Sequence, residues 1–294
     1  MYQTILVPLD GSPFGERALP YAAGVAERVG AAVELVHVHH LPDVGGVVLD
    51  PTLDERLRES ESSYLAAWAA RFGEISGQEA TPRLLAGEPV HAIADHVDKA
   101  GIDLIVMTTH GRGGFQRAWL GSVADGLVRR AGCPILLIRP DGAGGEAPVE
   151  YRHVLVPLDG TAVSEQILPH ATALATPGTT NFTLLRVVPP SLALGGHVIR
   201  LDEERLAEVA ATARRGLERV AAGLRDRGFE TGIRVISHQT PAQAILDWAA
   251  EKEADLIAMT TRSEGGLARL MLGSTADKVL RATRTPLLLF HPTL

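Results

Sequence analysis

A glycine-rich segment carries residue types that could bind a phosphate group. Positions 108–114 read Thr-Thr-His-Gly-Arg-Gly-Gly, and Leu-Gly-Ser follows at 120–122. Glycine lets the backbone approach a ligand closely, and free amides at a helix N-terminus attract phosphate. We expect the amides of Gly121, Ser122 and Val123, with the Ser122 hydroxyl, to donate to phosphate oxygens. Arg112 could pair with a terminal phosphate. The alternative is an ordinary surface loop in which the serine caps the next helix.

An aspartate closes the first apolar run of the chain and recurs in a second run. Asp10 follows Ile-Leu-Val-Pro-Leu, and Asp159 follows Val-Leu-Val-Pro-Leu. A carboxylate at the end of a strand can accept hydrogen bonds from a ribose hydroxyl, or from an adenine edge through water. The alternative is that each aspartate caps the following helix. Together with a glycine-rich segment at the same sheet edge, the pattern favours a nucleotide pocket.

The sequence lacks the motifs of several other nucleotide-binding and catalytic sites. The chain has only three lysines (Lys99, Lys252 and Lys278), none after a glycine, so a Walker A loop is absent. No Gly-x-Gly-x-x-Gly follows the first strand of either copy, and no Gly-x-Ser-x-Gly elbow occurs. Cys133 precedes a proline at the start of a strand, and we interpret it as a packing residue.

Three histidines could form a metal cluster. His37 and His39 are two residues apart and share one face of a predicted strand, and His40 follows them. The matching positions of the second copy are Arg186, Val188 and Pro189. Because the histidines are not common to both copies, we interpret them as a chance grouping rather than a metal site.

The chain contains an internal duplication. Ile5–Gly11 returns as Val154–Gly160, at an offset of 149 residues, and Asp103–Thr109 returns as Asp255–Thr261, at an offset of 152. Several blocks in the same order at a nearly constant offset indicate two whole domains rather than short solenoid repeats. The Gly-rich stretch 140–148 has the composition of a linker. We therefore predict domains over 1–140 and 151–294, joined by a linker over 141–150.

Within the first copy, strand and helix patterns alternate, which predicts a mostly parallel sheet with helices on both faces. Ligands of such sheets lie beyond the carboxyl ends of the strands, where strand order reverses. A long predicted helix over 52–75 places Leu57, Tyr64, Leu65 and Trp68 on its inner face, and the second copy has a similar helix over 202–227. The predicted strands of the first copy are Thr4–Leu9, Ala32–Val38, Arg83–Leu85, Leu104–Thr108 and Ile135–Ile138; its other helices begin at Ser12-Pro13 and span Pro89–Lys99 and Ser122–Arg130.

Composition and charge restrict the class of protein. The 294 residues are 46% hydrophobic and 21% charged, as in a folded globular protein. The net charge of −7 argues against binding to nucleic acid through phosphate neutralisation. A single cysteine excludes an internal disulfide framework. No apolar run reaches the roughly 18 residues of a membrane span, and the N-terminus lacks a signal-peptide pattern. We expect a cytoplasmic protein with no membrane partner.

The repeated blocks resemble the universal stress protein family. Val-Pro-Leu-Asp after the first strand and Met-Thr-Thr-His-Gly … Leu-Gly-Ser after the fourth carry the resemblance, which covers both copies almost end to end. It implies a tandem member with two doubly wound, Rossmann-like α/β domains, each a five-stranded parallel sheet with helices on both faces. The ATP-binding branch of that family carries Gly, two residues, Gly, nine residues, then Gly-Ser or Gly-Thr. Gly111 and Gly121 have this spacing, and Thr108 replaces the first glycine.

The resemblance implies a set of ligand contacts in each copy. In the first copy these residues are Pro8, Leu9, Asp10, Val38, Met107, Thr108, His110, Gly111, Arg112, Gly114, Gly121, Ser122 and Val123. In the second copy they are Asp159, Val187, Met259, Thr260, Gly273, Ser274 and Thr275. Arg262, Ser263 and Glu264 replace His110, Gly111 and Arg112 there. Because Glu264 would repel phosphate, the second copy is expected to be the weaker site.

The implied function is the binding of ATP, with Mg²⁺ on its phosphates, as a regulatory ligand in a stress response. Two alternatives remain: slow ATP hydrolysis or adenylyl chemistry involving Asp10, His110 and Arg112, and an interaction scaffold that binds no nucleotide. The fifth strands, Ile135–Ile138 and Leu287–Phe290, are wholly apolar, so their sheet edges require a cover. The resemblance suggests that the two domains pair through these strands, and a homodimer is a further expectation.

Overall fold

The computed structural model describes residues 2–41, 50–109, 120–139, 149–194, 197–261 and 272–292. The chain divides into two compact units, Met1–Glu150 (unit 1) and Tyr151–Leu294 (unit 2). Each unit contains strands that alternate with helices.

Unit 1 has a five-stranded parallel sheet in the order β5-β4-β1-β2-β3. The chain moves outward from β1 through β2 to β3 and then returns to β4 on the other side of β1. The strand order therefore reverses between β1 and β4, where doubly wound sheets bind their ligands. The elements in chain order are β1 (Thr4–Pro8), α1 (Pro13–Glu16), α2 (Leu19–Val29), β2 (Ala32–His39), α3 (Pro51–Ser76), β3 (Ala80–Ala86), α4 (Pro89–Ala100), β4 (Leu104–Thr108), α5 (Ser122–Arg130) and β5 (Ile135–Ile138).

Unit 2 repeats this topology, with the strand order β12-β11-β6-β7-β10, also parallel. It adds an antiparallel pair, β8 and β9, after the strand that matches β2. The elements are β6 (His153–Pro157), α6 (Ala162–Glu165), α7 (Ile167–Ala173), β7 (Asn181–Val188), β8 (Ser191–Leu194), β9 (His197–Arg200), α8 (Glu203–Arg225), β10 (Glu230–Ser237), α9 (Pro241–Glu251), β11 (Leu256–Thr260), α10 (Ser274–Ala282) and β12 (Leu287–Phe290). The predicted fold class is confirmed.

The same side-chain contact fixes the first strand beside the fourth in both units. The Asp103 carboxylate accepts from the amides of Gln3 (2.7 Å) and Thr4 (3.1 Å). The Asp255 carboxylate accepts in the same way from Arg152 (2.8 Å) and His153 (3.0 Å). Charge-assisted bonds of this kind contribute about 1.5–3 kcal/mol each. They hold the central strands in register, so their carboxyl ends form one edge.

Glycine is required where the end of unit 1 crosses α2. The Val149 amide donates to the Pro20 carbonyl at 3.2 Å. A Cβ atom on Gly24 would lie 2.2 Å from the Val149 carbonyl oxygen. Any larger residue at this position would displace the chain from the helix.

The long helix α3 corrects one sequence prediction. Leu65 and Phe72 are buried, and Tyr64 and Trp68 are half-buried, but Leu57 is 37% exposed. Its predicted place on the inner face is wrong because the first ten residues of α3 contribute no buried side chain. Only the later turns of this helix pack on the unit.

Candidate functional site

Unit 2 has a cavity of about 280 Å³ at the carboxyl edge of its sheet. It lies where β6, β7 and β11 end and α10 begins. All seven residues predicted for the second copy line it: Asp159, Val187, Met259, Thr260, Gly273, Ser274 and Thr275. The structure therefore brings together residues that are more than a hundred positions apart in the chain.

The loop after β6 fixes the position of the Asp159 carboxylate. Its Oδ1 accepts from the Thr161 amide (3.0 Å) and from the Thr161 hydroxyl (2.6 Å). Thr161 is the N-cap of α6, since its Oγ1 accepts from the Ser164 amide at 3.2 Å. The alternative in which Asp159 itself caps the helix is therefore wrong. Its Oδ2 makes no hydrogen bond with the described part of the chain, so that oxygen can accept from a ligand hydroxyl.

Unit 1 repeats this loop around Asp10. Its Oδ1 accepts from the Ser12 amide (3.1 Å) and hydroxyl (2.6 Å), and Ser12 is the N-cap of α1. Capping by Asp10 itself is therefore also wrong. A Cβ atom on Gly15 would lie 2.8 Å from Asp10 Oδ1, so glycine is needed beside this carboxylate.

In each unit, a side chain of the second strand holds the loop that follows the first strand. The residue is a histidine in unit 1 and an arginine in unit 2. The Nδ1 of His37 donates to the Leu9 carbonyl at 2.6 Å, and Nη1 of Arg186 donates to the Leu158 carbonyl at 3.3 Å. Arg186 also lines the cavity and was missed from the sequence. Burial lowers the pKa of its guanidinium and the nearby Asp159 carboxylate raises that pKa, with burial the larger effect. The signal for this residue is its position 149 residues after His37.

The start of α10 forms the other end of the cavity. The Gly273 amide donates to the Thr261 carbonyl at 2.6 Å, and the Gly121 amide donates to the Thr109 carbonyl at 2.7 Å in unit 1. Gly273 and Gly121 are the N-caps, and neither helix has a side-chain cap among the described residues. The alternative in which Ser122 caps the helix is therefore wrong. Ser122 is the first helical residue, and first-turn amides without a side-chain cap can donate to an anion.

The other predicted residues of unit 1 lie at the matching edge. Pro8 ends β1, and Leu9 and Asp10 follow it. Val38 is near the end of β2, and Met107 and Thr108 end β4. Gly121 is the N-cap of α5, and Ser122 and Val123 are its first residues. Met107 and Thr108 are buried, at 5% and 6% exposure. His110, Gly111, Arg112 and Gly114, with Arg262, Ser263 and Glu264 of the second copy, lie outside the described residues.

Two further sequence interpretations concern possible reactive groups. Burial raises the pKa of the Cys133 thiol to about 12, so the thiol stays protonated, as a packing residue would. Within the described ranges, no group of three or more histidine, cysteine, aspartate or glutamate side chains is arranged to hold a metal ion. In the structure, His37 Nδ1 donates to the Leu9 carbonyl and His39 Nδ1 lies 2.7 Å from Glu61 Oε2. No helix in the described part of the chain has the length and apolar content to cross a bilayer.

The fold and this edge define a class of protein: tandem doubly wound α/β units with an aspartate at the end of the first strand and a Gly-Ser helix start after the fourth. The universal stress protein family profile matches residues 1–139 and 150–291. The chain belongs to the universal stress protein family.

Two similar proteins match this chain along almost its whole length, and a third matches about half of it. A universal stress protein of Mycobacterium tuberculosis is 28% identical over 300 residues, covering 97% of this chain and 95% of its own. The crystal structure of a universal stress protein from Archaeoglobus fulgidus has a TM-score of 0.73 and 21% identity, with 98% of each chain covered. Another universal stress protein, solved in complex with cAMP, is 23% identical and covers 47% of this chain and 97% of its own, with a TM-score of 0.37.

Proposed function

We propose that the chain binds an adenine nucleotide, ATP with a divalent cation on its phosphates, at the carboxyl edge of each unit. The observation that supports this proposal is the unit 2 cavity, which collects all seven residues expected there. Its volume of about 280 Å³ is near the lower end of the range for small-molecule sites, about 300–1,000 Å³.

The chemistry of the cavity wall matches the three parts of a nucleotide. Met259 and Val187 supply apolar surface for a base. The Oδ2 of Asp159 can accept from a ribose hydroxyl, as carboxylates do in related folds. The Gly273 amide is taken by the Thr261 carbonyl, but the first-turn residues Ser274 and Thr275 line the cavity. Their amides have no side-chain cap among the described residues and can donate to phosphate oxygens. A divalent cation would be held chiefly by the phosphates, because Mg²⁺ commonly uses few protein ligands.

A regulatory role requires that the nucleotide bind one conformation of the protein more tightly than another. We propose that ATP acts in this way, as a ligand that changes the protein's shape or its contacts in a stress response. Cytoplasmic localisation, pairing through the fifth strands and a homodimer remain predictions.

The proposal is tested by nucleotide titration of the full chain and of Asp159→Asn. Asparagine keeps an acceptor for Thr161 but loses the charge, so ATP should bind unit 2 about tenfold more weakly, from the loss of about 1.5 kcal/mol in one charge-assisted bond. Asp10→Asn is the matched variant for unit 1, and Asp226→Asn, at the C-cap of α8, is the control. 2′-DeoxyATP should mimic Asp159→Asn in the parent protein if Asp159 accepts from the 2′-hydroxyl. No measurable uptake of ATP by the parent would contradict the proposal and favour a scaffold without nucleotide.

A further inference from the structure

Two buried histidines lie side by side at the end of β2. His37 and His39 are 6% and 4% exposed, and they share a face of the strand because they are two residues apart. His37 supports the Asp10 loop through the Leu9 carbonyl. Each ring nitrogen of His39 contacts a carboxylate side chain of α3. The two His39 contacts involve none of the residues proposed for the nucleotide site.

Both ring nitrogens of His39 face carboxylate oxygens. The Nδ1 atom is 2.7 Å from Glu61 Oε2, and the Nε2 atom is 2.7 Å from Asp54 Oδ1. An ionised carboxylate can only accept a hydrogen bond, so each ring nitrogen must carry a proton to make both bonds. The ring that satisfies this geometry is the imidazolium cation, held by two charge-assisted bonds.

The charges around Asp54 keep this carboxylate ionised. Arg58 Nε donates to Asp54 Oδ2 at 2.9 Å, while His39 occupies Oδ1. The hydrogen bond from Arg58 has the larger effect and that from His39 the next. Together they hold the pKa of the Asp54 carboxyl below its usual range. Acidification therefore leaves the Asp54 contact intact through the range in which histidine rings ordinarily gain a proton.

Glu61 also has a second histidine, His37, near its carboxylate. The Nε2 of His37 is 3.6 Å from Glu61 Oε1, a longer electrostatic contact. The His37 ring meets Tyr64 edge-on with centroids 6.2 Å apart, and the Tyr64 hydroxyl donates to Glu16 Oε1 at 3.1 Å. Burial, with Glu16 nearby, raises the pKa of Tyr64, so this hydroxyl stays neutral. His39 is thus the cation that directly joins the two carboxylates of α3 to the strand.

Among the described residues, the first turns of α3 bury little apolar surface. Residues 51–60 contribute no buried side chain, and the apolar Leu53 and Leu57 are 44% and 37% exposed. The first buried residue of the helix is Leu65. Without apolar burial, the attachment of these turns depends on polar contacts such as those of His39.

Unit 2 has no histidine at the matching positions. Arg186 and Val188 stand 149 residues after His37 and His39, and Val188 is buried at 4% exposure. The corresponding long helix, α8, therefore cannot be joined to its strand in this way. It serves as an internal reference for α3.

We propose that His39 is a proton-dependent latch that fastens the first turns of α3 to the end of β2. While the ring is protonated, it donates to Asp54 and Glu61 at the same time. When rising pH removes one proton, a ring lone pair faces a carboxylate oxygen and that contact is lost. The stabilisation is therefore present at lower pH and lost as pH rises, and α3 opens locally from its N-terminal end.

The test combines two measurements on the full chain. Ring ¹⁵N spectra of His39 report whether both nitrogens carry protons, and hydrogen exchange reports the protection of residues 51–62, corrected at each pH for the intrinsic rate. Loss of one charge-assisted bond predicts a decrease of about tenfold or more in that protection as pH rises and the ring loses its second proton. The decrease should follow the His39 ring titration, while residues 203–214 of α8 change little.

Variants separate the latch from general destabilisation. His39→Gln should show low protection of residues 51–62 at every pH, and the milder Asp54→Asn should reduce the pH-dependent change. His91→Gln is the matched control, because His91 Nδ1 bonds Glu88 Oε2 at 2.6 Å in an exposed histidine–carboxylate pair. A His39 ring that carries a single proton under conditions where residues 51–62 are protected would overturn the proposal. So would protection of residues 51–62 that is independent of pH in the parent protein.

Discussion

Replacing Gly273 with alanine should remove nucleotide binding from unit 2 while leaving that unit folded. The added Cβ would lie 2.9 Å from the Thr261 carbonyl oxygen, which is closer than such atoms approach in proteins. The Gly273 amide bonds the same oxygen at 2.6 Å, so the start of α10 must move away and this bond must lengthen. Overpacking of this kind costs about 1–3 kcal/mol, less than the usual stability of a folded domain.

The effect on binding follows from the displaced amides. A hydrogen bond to a charged phosphate contributes about 1.5–3 kcal/mol, so misplacing one amide raises the dissociation constant by about tenfold or more. Isothermal titration with ATP and thermal unfolding of Gly273→Ala would measure both quantities. Gly216→Ala on α8 is the control, since a Cβ there meets nothing within 4 Å. Unchanged affinity and stoichiometry in Gly273→Ala would refute the role given to the α10 N-terminus.

Two further predictions concern stability. Phe72→Ala should lower the free energy of unfolding by about 3–5 kcal/mol, because Phe72 is fully buried. Leu57→Ala should change it by about 0.5 kcal/mol or less, because Leu57 is exposed. Similar losses for the two variants in denaturant titrations would contradict the account of α3. Burial lowers the pKa of His170 to about 4, and its ring packs on Phe290 at 4.4 Å. Because the unfolded chain protonates this ring first, stability should fall as pH falls from about 6.5 to about 4. His170→Leu should reduce that dependence, and an unchanged pH profile would count against it.

The order of strands and helices in both units could be predicted, because apolar runs and helix start signals depend on residues that are neighbours in the sequence. β4, α5 and β5 have the predicted bounds. The first helix begins at Pro13, directly after the predicted cap Ser12. The burial of α3 could not be predicted in the same way. Leu57 fits the helical pattern, but only the later turns of the helix reach the unit, and that depends on packing.

The antiparallel pair β8 and β9 was also missed. Each strand has only four residues, which is too short for a clear alternating pattern. The signal was the Gly-Gly dipeptide at 195–196 between two short apolar runs, a composition typical of hairpins.

The residues that line the candidate site were predicted from the sequence, but the side chains that hold its loops in place were not. Asp159, Met259 and Gly273 stand out through the duplication, and the structure collects them in one cavity. Arg186 matches His37 in the duplication but is a different residue type, and its role depends on reaching the Leu158 carbonyl across neighbouring strands. His39 is similar, since its carboxylate partners come from a helix that begins twelve residues after it.

The nucleotide content of the purified protein tests the central claim most directly. Freshly purified full chain would be denatured, and released nucleotide would be identified and counted by chromatography and mass spectrometry. The account predicts ATP at one or two molecules per chain, two if both units bind. No released nucleotide, with no uptake of added ATP and Mg²⁺, would contradict it.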